Sequence, residues 1–169
     1  MKKRIVVLLF LFFGSTLMAQ KTNQDSVVTK IILVRHAEKM LDGSKDPELT
    51  AEGEQRAERL RFLLSDINVD QVFSSPYIRT KNTVAPVAAS KNITVEMYNP
   101  KDPNFSTYLW SKVKGKTAIV VGHSNSIPAL VNQLIGKDKF KELTEDVYSK
   151  IWILTYSGEH LVDCSLYNF

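Results

Sequence analysis

An α/β domain, with a largely parallel sheet covered by helices on both faces, is the fold class predicted by three observations. Short continuous apolar runs such as Ile31 to Val34 and Ala118 to Val121 recur along the chain and alternate with helical patterns. Three of the runs end in polar residues that can do chemistry, as strands do at the ligand-binding rim of a parallel sheet. Finally, 169 residues at 44% hydrophobic content suffice for one core, and no repeat, low-complexity tract or linker divides them.

The first residues follow a different logic. Lys2, Lys3 and Arg4 precede the apolar run Ile5 to Phe13, then small residues Gly14 and Ser15, then Ala19. That order of charged, apolar and small regions is a secretory signal peptide at residues 1–19, and the run falls well short of the ~20 apolar residues of a membrane helix. Residues 20–29 read as a polar tether, and residues 30–169 as the domain. Removing residues 1–19 takes away three of the 22 Lys and Arg and none of the 18 Asp and Glu, so the net charge falls from +4 to +1. No global field for nucleic acid or an anionic membrane surface is left. The lone Cys164 excludes an internal disulfide and reads as a packed strand thiol. A periplasmic or secreted protein without a stable membrane anchor after cleavage is expected.

Strands are expected at Lys30 to Val34, Asp70 to Ser74, Thr94 to Tyr98, Thr117 to Gly122, Ile151 to Tyr156 and His160 to Leu166, the last two joined by a turn at Ser157-Gly158-Glu159. Thr50 suits the cap of a helix to about Leu64, with Glu52 and Glu54 in its first turn. Glu52, Glu54, Arg56, Glu58, Arg59 and Arg61 read as its solvated face, with i, i+4 ion pairs. A second helix begins near Tyr77 and runs past Val84, where Pro86 ends or kinks it. Phe105 to Val113 and Ile127 to Ile135 complete the set, with Pro128 in a first helical turn.

Three strand endings carry the chemistry: Arg35-His36, then Ser74-Ser75-Pro76 followed by Arg79, then Gly122-His123-Ser124. In a parallel sheet they share one rim, which brings together two arginines and two histidines. Arginine offers a permanently charged fork of donors matched to phosphate oxygens. A neutral imidazole can attack phosphorus and form a covalent intermediate, while a second imidazole and nearby hydroxyls hold the oxygens. Zinc-type spacing such as HExxH is absent, as is the G-x-S-x-G of serine hydrolases, so neither a metal nor a cofactor is expected.

At these residues the chain resembles the histidine phosphatase superfamily, the clan of phosphoglycerate mutases, acid phosphatases and short phosphohistidine phosphatases. The resemblance rests on LVRHAEK (Leu33 to Lys39), LTAEGEQRA (Leu49 to Ala57), VFSSPYIRTKNT (Val72 to Thr83) and VVGHSNS (Val120 to Ser126), in the family's order. It implies a three-layer α/β/α sandwich of phosphoglycerate mutase type. It also implies His36 as the phosphorylated nucleophile, Arg35, Arg79 and His123 as the phosphate pocket, and a small phosphorylated substrate or phosphoprotein as partner. Ser124 and Asn125 are candidate substrate contacts, with helix capping an equal alternative for Asn125.

Two departures stand out. Ala37 replaces the family's usual glycine after the Arg-His pair. The general acid is missing after the second histidine, where Ser124-Asn125 stands and an amide cannot give a proton. Asp102, in the loop NPKDPN, is the candidate acid by position, with Glu96 and Glu38 as alternatives. The implied activity is a phosphatase; a mutase-like phosphotransferase and a non-catalytic phosphate-binding domain are the competing readings.

Overall fold

The computed structural model describes residues 27–169; the signal peptide expected at residues 1–19 and the first residues of the expected tether, to residue 26, lie outside them. In chain order come β1 (Val28–Arg35), α1 (Ala51–Leu63), β2 (Gln71–Ser74), α2 (Ile78–Lys91), β3 (Val95–Met97), α3 (Phe105–Val113), β4 (Thr117–Gly122), α4 (Ser126–Ile135), β5 (Lys150–Ser157) and β6 (His160–Asn168). These strands form one sheet in the order β3-β2-β4-β1-β5-β6. The pairs β3-β2, β2-β4 and β4-β1 are parallel, while β5 and β6 continue the sheet antiparallel. No described helix is long and apolar enough to cross a membrane.

Period-two side-chain alternation explains the layering. Ile31 and Leu33 of β1 bury against one face with Phe105, Leu109, Ile127 and Val131 from α3 and α4. Ile32 and Val34 bury against the other with Leu60, Val84 and Val87 from α1 and α2. The apolar runs are continuous because both faces of the central strands are covered, which is the three-layer α/β/α sandwich expected. At the hairpin, Gly158 takes φ 60°, as the turn at Ser157-Gly158-Glu159 requires.

Two expectations need correction. β1 begins at Val28, so Val28 and Thr29 belong to the sheet and not to a tether. They pair with Ser157 and Tyr156, and the buried Thr29 hydroxyl accepts from Gly115 N at 2.8 Å. Pro86 does not end α2, which runs on to Lys91. Val84, Val87 and Ala88 are buried on either side of the proline, so packing holds both halves of the helix to the sheet. Fully burying a valine is worth about 1.5–3 kcal/mol, enough in sum to offset the ~3 kcal/mol that an interior proline costs.

Candidate active site

The three strand endings picked out in the sequence belong to adjacent parallel strands. Arg35 lies level with Gly122 and Ser74 with Val121, so β2, β4 and β1 terminate at one rim. The backbone continues the ladder one residue further, with His36 N donating to Gly122 O at 2.9 Å and Ser75 N to Val121 O at 3.2 Å. His36 and His123 thereby face each other with ring centroids 5.5 Å apart. They share a cleft of about 520 Å³ with Arg79, Ser124 and Asn125.

The tautomer of His36 follows from its neighbour. Its Nδ1 lies 2.8 Å from Ala37 O, and a carbonyl only accepts, so Nδ1 carries the hydrogen and Nε2 keeps its lone pair. Burial lowers the pKa of the ring to about 3, with the charges of Arg35, His123 and Arg79 acting in the same direction against the Ala37 hydrogen bond. The ring is therefore neutral at ordinary pH, with a lone pair on Nε2. The methyl of Ala37, the departure from the family glycine, packs in a small cluster with Leu49 and Ala57. The Ala37 amide donates to Thr83 Oγ1 at 2.9 Å, tying the end of β1 to α2.

His123 sits between two partners. Nε2 lies 2.9 Å from Ser75 Oγ and Nδ1 lies 3.5 Å from Arg79 Nη2, with the Tyr77 ring edge-on at 4.9 Å. Burial lowers its pKa to about 4, helped by Arg79, Arg35 and Lys39 and opposed by Asp46. Behind it, Ser126 Oγ accepts from His123 N at 2.9 Å. Asn125 holds the N-cap position of α4 without a side-chain capping bond and lines the cleft.

The two arginines are held differently. Arg79 Nη1 pairs with Asp46 at 3.2 Å, while Asp46 also accepts from Ile78 N at the start of α2. Arg35 is 1% exposed and does not line the cleft. Its Nη1 donates to Thr144 O and Val147 O at 2.8 and 2.9 Å, its Nη2 meets Glu145 at 3.3 Å, and Tyr148 lies against its guanidinium at 4.2 Å. The Nε of each arginine is buried without a hydrogen-bond partner. Unpaired buried donors are costly, and two at one strand rim suit an anion.

None of the acids proposed from sequence lines this cleft. Asp102 is exposed, accepts from Asn104 N at 2.9 Å, and borders a separate depression of about 60 Å³ beside Tyr98 and Phe105. Glu96 accepts from Tyr108 Oη. Glu38 accepts from Arg56, Nε to both oxygens at 2.9 Å and Nη2 at 2.6 Å. Burial pushes its carboxyl up, but the hydrogen bonds and charge of Arg56, its own backbone amide and the charge of Arg59 together lower the net pKa. Arg56 is thus no member of a solvated face; it is 12% exposed in a pair across the fold. On α1 the surface pair is Arg61 with Glu58 at i, i+3 and 2.7 Å.

The carboxylates that do line the cleft are Glu142 and Glu145, from the segment between α4 and β5 that sequence reasoning left without a role. Leu143 N donates to Ser124 O at 3.0 Å, and Ser124 Oγ lies 3.4 Å from Glu142 Oε1, so Glu142 is pinned beside the second histidine. Glu145 meets Lys39 at 3.6 Å as well as Arg35. The segment has no helical or strand period, and its partners lie from 18 to 112 residues away, so no sequence pattern marks it. Among the described residues no group of three or more His, Cys, Asp or Glu side chains could hold a metal ion.

Comparison with known proteins agrees with this geometry. The family described as histidine phosphatase superfamily (branch 1) matches residues 31–99, which include the first arginine-histidine pair and Arg79. Phosphoserine phosphatase 1 of Hydrogenobacter thermophilus is 38% identical over 74 residues, covering 40% of this chain and 35% of that enzyme. The fold matches that of the protein histidine phosphatase SixA complexed with tungstate, at TM-score 0.67 and 19% identity over 82% of this chain and 96% of that one. It also matches the phosphoserine phosphatase of Entamoeba histolytica in complex with 3-phosphoglyceric acid, at TM-score 0.65 and 19% identity over 83% and 98%. Residues 31–99 are thus similar to the histidine phosphatase superfamily (branch 1), and the described residues share the phosphoglycerate mutase-like sandwich of these solved structures, with a paired-histidine rim.

Proposed function

We propose that the chain is an exported phosphatase that hydrolyses phosphate monoesters or phosphoramidates through a phosphohistidine at His36. The observation that carries this reading is the His36 ring, neutral, fixed through Nδ1 and with Nε2 free, in one cleft with Arg79 and His123. Nε2 attacks phosphorus, the phosphorus–nitrogen bond forms as the bond to the leaving oxygen or nitrogen breaks, and water then cleaves the phosphohistidine. Charge on the transferring group is met by Arg79 and His123, with the buried positive charge of Arg35 behind the rim and no metal in the scheme. The phosphatases among the similar proteins support the reading, and the pattern of residues 1–19 supports export. Export is checked by the mass of the protein recovered outside the cytoplasm, expected to lack residues 1–19.

Protonation of the leaving group falls to Glu142, which lines the cleft, in preference to Asp102, which does not. The test is hydrolysis of a series of phosphate esters with leaving groups from activated aryl to alkyl, with chelator present. Saturable turnover is expected, with loss of at least a thousand-fold in His36→Ala. In Glu142→Gln a loss of ~10²-fold or more on alkyl esters and little on activated aryl esters is expected, the usual range for a general acid. Asp102→Asn should match the wild type. A folded protein that turns over none of the series would be a phosphate-binding domain instead.

A further inference from the structure

Behind His123 lies a chain of hydroxyls with only one consistent direction. Thr80 Oγ1 has a single hydrogen and lies 2.8 Å from Ser75 O and 2.9 Å from Tyr77 O, both of which only accept. That hydrogen is committed to a carbonyl, so towards Ser75 Oγ, 3.0 Å away, Thr80 can only accept. The Ser75 hydrogen is therefore committed to Thr80, and Ser75 Oγ in turn must accept from His123 Nε2 at 2.9 Å. Ser75 and Thr80 are fully buried, so water does not compete for these bonds. On its other edge His123 presents Nδ1 to Arg79 Nη2, which can only donate.

We infer that Ser75 and Thr80 are positioning residues that hold free His123 as the Nε2–H tautomer, with a bare Nδ1 towards Arg79 and the cleft, so that binding of a phosphoryl dianion requires uptake of one proton on that ring. The inference rests on the phosphate-site reading above. A dianion offers only acceptors, and a neutral ring whose one hydrogen is spent on Ser75 has none to give it. A proton taken from solvent onto Nδ1 turns the ring into a donor facing the ligand, and frees Arg79 Nη2 to donate to the ligand too.

The charged surroundings favour this coupling. Burial first, then Arg79 from α2, Arg35 from β1 and Lys39 from the following loop, keep the free ring neutral, and Lys101 from the loop before α3 lines the same cleft. Asp46 opposes them, while Glu142 and Glu145 border the cleft from the segment before β5. The second ring, His36, already donates its only hydrogen to Ala37 O, and Tyr77 packs edge-on. A bound dianion offsets the cations that keep protons off the ring.

The experiment uses the 15N-labelled chain and sulfate, a dianion with no proton of its own between pH 5.5 and 7.5. Nitrogen–proton correlation spectra of the free protein at pH 7 should show His123 protonated at Nε2 and bare at Nδ1, and the sulfate complex should show both nitrogens protonated. The Kd for sulfate should rise about tenfold per pH unit, the linkage expected for one proton. Ser75→Ala should give a mixture of tautomers; Thr80→Val serves the same purpose if that variant does not fold. An Nδ1–H tautomer in the free protein, an unchanged tautomer in the variants, or a Kd independent of pH would overturn the inference. Failure of the folded protein to bind sulfate would count against the phosphate-site reading instead, while the free-state spectra still decide the tautomer.

Discussion

Gly122 is the residue on which the rim closes. A Cβ there would stand 2.6 Å from Tyr98 Oη, 2.8 Å from Ser126 Oγ and 2.9 Å from Ile127 Cδ1. Tyr98 donates to Val121 O and Ser126 accepts from His123 N, so the methyl would strain two bonds that place the second histidine. Gly122→Ala is expected to lower stability by about 1–3 kcal/mol, the usual cost of overpacking, read as a fall in the urea midpoint. Arg35, His36, Arg79 and His123 were all legible at this scale, because each stands at or just beyond a strand end and strand ends are local patterns. Glu38 with Arg56 was not legible. Nothing in the sequence separation of 18 says that the side chains meet, and the helix pattern alone puts Arg56 in solvent.

Among the elements, α2 shows how far local rules extend. The sequence places its start correctly within a residue, and of the two effects expected of Pro86, an end or a kink, the structure excludes the end, with Val87 and Ala88 buried beyond it. The proline still leaves one turn without its backbone bond, next to the exposed Asn82 and Ala85. Pro86→Ala is expected to stabilise the protein by about 2 kcal/mol, the helix gain less the entropy returned to the unfolded chain. Thermal and urea unfolding would both show it. The segment between α4 and β5 is the opposite case: it has no regular element to predict, yet it supplies the carbonyls that hold Arg35 and both cleft carboxylates.

For the molecule as a whole, the two buried histidines make stability depend on pH. Both pKa values are lowered from 6.5 in the unfolded chain, to about 3 for His36 and about 4 for His123. The unfolded state therefore binds more protons than the folded one below pH 6.5, and stability falls as pH falls. His123 contributes to the loss down to about pH 4 and His36 down to about pH 3, each by at most ~1.4 kcal/mol per pH unit. Above pH 6.5 both are neutral in either state and contribute nothing to the slope. Urea midpoints between pH 4.5 and 7.5 should show the fall, and His36→Ala should make it shallower. A flat profile would mean that the rings are not held neutral.

By itself the sequence determined the α/β class, the parallel core of the sheet and the four residues at its rim. Those follow from apolar period, strand length and strand ends, all set by neighbours in the chain. Only the tertiary structure decided which acids face the cleft, excluding Asp102, Glu96 and Glu38 in favour of Glu142 and Glu145. It alone showed that Arg35 is gripped by carbonyls more than a hundred residues away. The direction of a carboxylate and the partner of a buried guanidinium depend on how distant segments pack, and no local pattern encodes that.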